Sequence, residues 1–261
     1  MHTIYETNNK QMSLNITIAC NGSKKFRVWA EDYGKPNSKY GDREIVVDGT
    51  RTIYFSFPVS PKKLFVGCAN VSNPNDKDFK VDIVEAPLKK YNIWIDEDTD
   101  QFLQLALRFS QVCGFEKPSP SGTIYQTQNA KFNIKYFPVI VDFMTGKVLN
   151  TPARVGHSTG IIEVSAAKFI RYTIPMRVAI LLHEFSHKFK NPKIGLQISN
   201  EIGADINALY IYLGLGFSKI DAITVFAKVF LKAQTDGNME RMKKILDYIN
   251  RFENQEYAKL V

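Results

Sequence analysis

Cysteine is scarce in this chain: Cys20, Cys68 and Cys113 are the only three in 261 residues, and no two form a CxxC pair. So sparse a set excludes a disulfide-built scaffold and a thiolate metal cluster, and it favours reduced thiols. One pairing, Cys20 with Cys68, stays open. Long apolar runs are also missing. Nothing approaches the roughly 18 consecutive apolar residues that a membrane span requires, and the first thirty positions lack the basic-then-apolar layout of an export signal. Charge of one sign is not concentrated anywhere. The net charge is +8, which by itself would suit a nucleic-acid partner. Residues 1–90, however, carry 14 Lys+Arg against 10 Asp+Glu, and residues 91–261 carry 20 against 16. Neither part holds a basic tail, and no nucleic acid is expected as a partner.

What is present is the composition of a globular protein, 44% hydrophobic and 23% charged, in a length that suits one large domain or two modest ones. From Ser13 to about Glu85 the apolar residues recur with a period of two, as in Leu14, Ile16, Ile18 and Cys20, or Phe26, Val28 and Ala30, or Ile53, Phe55 and Phe57. That period predicts short strands. Turn-rich stretches at Asp32–Asn37, Asp48-Gly49 and Ser72–Asp78 divide them, which suggests an antiparallel β-sandwich of six or seven strands. Met1 to Gln11 reads as an arm or an edge strand. This first part has no ligand-spaced cysteines and no glycine-rich phosphate loop, so residues 1–90 are expected to bind or dock.

Pro87 to Lys90 reads as a linker, after which the period changes. Asp98 or Thr99 is expected to cap a helix through Phe102, Leu105, Phe109 and Val112, with Gly114 as its stop. Strands are expected at Thr123–Gln126, Phe132–Asp142, Lys147–Leu149 and Gly160–Ser165. Thr173 with Pro175 should start a further helix, and Asn191-Pro192 should end it. Later helices are expected over Ser199–Leu213, from Ser218, and over Asp236–Phe252. The expected fold class is α+β.

The helix after Thr173 carries the chemistry. Ile180-Leu181-Leu182-His183-Glu184-Phe185-Ser186-His187 places two histidines four residues apart, directly after a run, Met176 to Leu182, that is apolar apart from Arg177. On a helix these stack on one face and aim two imidazoles at one point. Glu184 lies about 100° around the helix from His183, near enough to reach an activated water but turned away from the ligand position. That is the place of a general base. A third ligand must come from elsewhere, and Glu201, in Asn200-Glu201-Ile202-Gly203-Ala204-Asp205, is the best candidate. No histidine stands at position 193, so the longer three-histidine pattern is absent.

The two motifs, HExxH at 183–187 and ExxxD at 201–205, resemble the signature of the gluzincin metallopeptidases, the group that includes thermolysin. The resemblance implies a zincin-like metallopeptidase domain over residues 91–261. It implies that His183, His187 and Glu201 bind Zn2+, that Glu184 is the base, and that Asp205 holds His183 by its other ring nitrogen. It further implies that Gly160–Ser165 is an edge strand able to pair with an extended peptide substrate. His157, Tyr210 and Tyr212 are additional candidates for contacts to a reacting carbonyl, with loop or core roles as the plainer expectation.

The function expected is therefore zinc-dependent peptide-bond hydrolysis on a peptide or protein substrate. A competing expectation is a zincin-fold structural component of a larger assembly, for example a phage virion or tail protein, joined through the N-terminal domain and carrying little or no activity. A third is a zinc-stabilised binding protein that hydrolyses nothing. The expected location is cytoplasmic or assembly-associated.

Overall fold

A computed structural model describes residues 1–35, 38–156, 158–189, 191, 201–231, 235–252 and 259–260. The chain divides into two compact units, Met1–Lys89 and Lys90–Val261. No helix among the described residues is long and apolar enough to cross a membrane.

The first unit is one antiparallel sheet of five strands: β1 (His2–Glu6), β2 (Met12–Asp32), β3 (Lys39–Phe57), β4 (Lys63–Asn70) and β5 (Phe79–Ala86). The segment before Gln11 is thus an edge strand, β1 paired with β4. Fewer strands form than the turn signals suggest, because β2 joins the two alternating sets Leu14–Cys20 and Phe26–Ala30 into one strand and β3 runs through Asp48-Gly49, which reads as a turn. In β2 the register slips between Cys20 and Ser23, with Gly22 at φ +68°, and Asp48-Gly49 lies inside β3 rather than between strands. Two residues are inserted at the bulge, so the parity survives it: Leu14, Ile16 and Ile18 before it and Phe26, Val28 and Ala30 after it all face the core.

The sheet then folds over on itself. Gly41 and Phe55 belong to the same strand and would lie about 45 Å apart if it were straight, yet a Cβ on Gly41 would stand 2.8 Å from the Phe55 ring. The Tyr40 and Phe57 ring centroids are likewise only 6.5 Å apart. The core of a sandwich is therefore made within one hydrogen-bonded sheet. All three cysteines are free thiols, so the Cys20–Cys68 bridge does not form.

The second unit places helices against a mixed sheet. It begins with β6 (Tyr91–Asn92), which pairs with β11 (Lys259–Leu260), and α1 (Glu97–Val112). Asp96 caps α1, ahead of both expected candidates, Asp98 and Thr99, accepting from Thr99 N at 2.8 Å. That start leaves Glu97, Asp98 and Asp100 in the first turn, where they complement the helix dipole. The sheet comprises β7 (Thr123–Gln126), β8 (Asn133–Phe137), β9 (Ala153–Val155) and β10 (Ile162–Ser165), in the order β7-β8-β10-β9. β8 ends at Phe137, before Pro138 and short of the expected Asp142, and the expected strand at Lys147–Leu149 is reduced to one bridge between Val141 and Val148.

After a short helix, α2 (Ala166–Phe169), comes α3 (Ile174–Ser186), every residue of which is buried. Thr173 and Pro175 start it as expected, but His187 is already its C-cap, ahead of Asn191. A helix apolar on all sides belongs in a core, and Phe185 stacks on Phe102 of α1 at 4.2 Å. The exception in that apolar run, Arg177, donates to the carbonyls of Ser110 at 2.9 Å and Ile170 at 2.8 Å, which places a cation at the C-terminal ends of α1 and α2. Then follow α4 (Glu201–Gly214) and α5 (Lys219–Val225), the latter capped by Ser218. α5 widens into a π-helical turn at Phe226–Phe230, and α6 (Asp236–Arg251) closes the helical layer.

Candidate metal centre

The four-residue spacing on α3 brings His183 Nε2 and His187 Nε2 to 3.1 Å of each other. Across from them Glu201, the first residue of α4, places Oε2 at 3.5 Å from His183 and Oε1 at 3.7 Å from His187. Among the described residues these three side chains form the group able to hold a metal ion, with their ligand atoms all within 4.8 Å of one another. His183 is buried, His187 half-buried and Glu201 exposed, so the centre opens to solvent on the Glu201 side.

The chemistry of these donors fits a cation. Asp205, with 0% of its surface exposed, places Oδ1 at 2.9 Å from His183 Nδ1. A proton held there leaves the Nε2 lone pair aimed at a second imidazole and a carboxylate, an arrangement that calls for a positive charge between them. The titration behaviour has the same cause. Burial alone would push the His183 imidazole down, but Asp205 and Glu201 outweigh it and hold its pKa at about 9. The hydrogen bond to His183, opposed by partial burial, holds Glu201 at about 2.

Glu184 stands beside this group on the next residue of α3, 8% exposed. Burial raises its pKa, partly offset by the nearby His183 and by the backbone N–H of Val155. A carboxyl raised in this way moves towards the range in which it exchanges a proton near neutral pH.

The sheet edge beside the site is β9, and the expected edge strand Gly160–Ser165 lies inside the sheet. Its ordered part, β10, pairs with β8 on one side and β9 on the other. Along β9 the backbone bonds Gly156 N to Ile161 O and Ser165 N to Pro152 O set the parity. Arg154 therefore turns its backbone towards β10, while Ala153 and Val155 turn theirs away from it. Consistent with that parity, the Val155 N–H reaches Glu184 and the Ala153 carbonyl accepts from the Thr151 hydroxyl at 2.7 Å. A cleft of about 550 Å³ is lined by Ala153 and Val155 of β9, by Glu184 and the three ligands, and by Val229 and Phe230 of the π turn.

All five residues singled out from the two motifs converge: His183, Glu184, His187, Glu201 and Asp205. The tyrosines do not join them. Tyr210 is buried in the core, where its hydroxyl accepts from Trp94 N at 2.7 Å, and Tyr212 stacks on Phe217 at 4.5 Å. His157 lies outside the described residues.

Two contacts escape sequence reasoning. The Phe230 ring sits 4.1 Å from that of His183, and Arg241 of α6 reaches both Asp205 and Glu201. Neither belongs to a local motif, and Arg241 is separated from Asp205 by 36 positions. The chain matches no family model, no curated protein and no solved structure.

Proposed function

We propose that the chain is a zinc-dependent peptidase of the gluzincin type, with His183, His187 and Glu201 as ligands and Glu184 as general base. The observation that carries this reading is the convergence of two imidazole nitrogens and the Glu201 carboxylate, with Asp205 behind one ligand and Glu184 beside it. Two nitrogens and one oxygen make the ligand set of a catalytic zinc with a position left for water or substrate. When bound, the metal supplies a Lewis acid that polarises a carbonyl and makes water a nucleophile near neutral pH.

The protein's own residues do the rest. Asp205 keeps the His183 proton on Nδ1, so that Nε2 is free to ligate. Glu184, held by Val155 N–H and drawn up by burial, takes a proton from the attacking water and delivers it to the leaving amine. β9 offers the outward backbone groups of Ala153 and the carbonyl of Val155 to an extended peptide, whose N–H is suited to displace the Thr151 hydroxyl from the Ala153 carbonyl.

The first test is elemental analysis of the full chain, wild type beside His187→Ala, followed by a peptidase screen with Glu184→Gln. The expected result is about one zinc per chain, lost from His187→Ala. Glu184→Gln should retain the metal, and hydrolysis should fall by roughly 10²–10⁴-fold, the usual contribution of a general base. Zinc in the wild type with no hydrolysis of any peptide would favour a zinc-stabilised binding protein. No zinc would remove the enzyme reading altogether.

A further inference from the structure

We propose that Arg241 is a positioning residue of the metal centre, a single guanidinium that fixes both the ligand Glu201 and the carboxylate behind the ligand His183. The proposal rests on the metal reading above and extends it to an element that carries neither motif. Glu201 and Asp205 are four residues apart and so project from one face of α4. Arg241 comes across from α6 with its side chain only 13% exposed. Its Nε donates to Asp205 Oδ2 at 2.9 Å and its Nη2 to Asp205 Oδ1 at 3.0 Å, two parallel bonds in the fork geometry that only arginine offers. The same Nη2 stands 3.2 Å from Glu201 Oε2.

Three consequences follow from that geometry. Asp205 is entirely buried, and an imidazole alone would leave half of its hydrogen-bonding capacity unmet; Arg241 occupies it and holds Oδ1 towards His183 Nδ1. The guanidinium also lies against both carboxylates, Asp205 and Glu201, and offsets the negative charge that they bring together beside the site. Glu201 is the exposed ligand, with 54% of its side chain accessible, and the contact to Arg241 restrains a carboxylate that solvent would otherwise let swing away. A lysine would supply charge at one point without the fork.

The test uses the full chain stripped of metal, with zinc titrated into wild type, His187→Ala, Arg241→Ala and Arg241→Lys, and Co2+ as a spectroscopic probe of ligand geometry. Folded Arg241→Ala should bind zinc about 10–100-fold more weakly than wild type, the usual cost of losing a group that orients a ligand, with an altered cobalt absorption spectrum. Arg241→Lys should fall between the two. Millimolar methylguanidinium should restore part of the affinity of Arg241→Ala and none of that of His187→Ala, a rescue that a merely structural ion pair would not give. Wild-type affinity and an unchanged cobalt spectrum in Arg241→Ala would overturn the positioning role and leave the metal centre standing. Failure of the wild type itself to bind zinc would overturn the metal centre and the proposal with it. Should Arg241→Ala not fold, Arg241→Lys decides by the same two readouts, since full affinity without the fork would overturn the role equally.

Discussion

Asp42 illustrates how a single carboxylate ties pH to stability in the first unit. Burial alone would raise its pKa, but hydrogen bonds from Arg27, at 2.8 Å to each oxygen, and from Lys39 at 2.6 Å outweigh it and hold the carboxyl below its usual range. A pKa lowered in the folded state means that the unfolded chain binds the proton more readily. The contribution is therefore present above the unfolded value of about 4 and is lost as pH falls through the lower folded value. Asp42→Asn should lower the urea midpoint at pH 7 and should lose less stability than wild type between pH 5 and pH 2, read from Trp29 fluorescence in a Trp94→Phe background. Equal acid losses in both proteins would show that Asp42 is not the group responsible. At this same scale the site was largely legible, since the spacing of His183, Glu184 and His187 is a local, helical fact. Arg241 was not, because nothing in the sequence around it says which carboxylates lie across from α6.

The elements show where local pattern and pairing part company. The alternation in β2 and β3 was legible, but Asp48-Gly49 reads as a turn and the break after Cys20 as a gap between strands, and only cross-strand pairing puts Gly49 inside a strand and makes a bulge at Gly22. Gly41 tests the resulting fold-over directly. Gly41→Val would drive side-chain atoms into the Phe55 ring, which a Cβ alone already approaches to 2.8 Å. Such overpacking typically costs 1–3 kcal/mol, so the denaturant midpoint followed at Trp29 should fall accordingly. A variant as stable as wild type would mean that the two halves of β3 do not face each other. The edge strand was misplaced for a related reason. β9 has three residues, too few to show a period, whereas Ile161, Ile162 and Val164 stand out at β10. An edge is a property of what lies beside a strand and cannot be seen in the strand itself.

For the molecule as a whole, metal binding should be stability. A ligand that binds the folded state alone stabilises it by about 2.7 kcal/mol at a hundred times its dissociation constant. Chelation should therefore lower the thermal midpoint followed at Trp94, and added zinc should restore it. The midpoint followed at Trp29 should not respond, because the ligands all lie in the unit Lys90–Val261. A Trp94 transition indifferent to both chelator and zinc would show that no metal supports that unit. The extent of the two units follows the change of hydrophobic period near Pro87–Lys90, a feature spread over enough residues to be read without the fold.

Sequence by itself determined what depends on spacing along one element: the strand alternation before Glu85, the buried helix, the two histidines on one of its faces, and the pair Glu201 and Asp205 on one face of the next. Tertiary structure decided what depends on contacts between elements. It joined predicted strands into the long β2, folded β3 back on itself, made β9 the edge, set Glu184 against Val155, and brought Arg241 to both acids. The physical reason is the same throughout: hydrophobic period and helical spacing act over a few residues, whereas pairing and burial act between segments whose meeting no local pattern encodes.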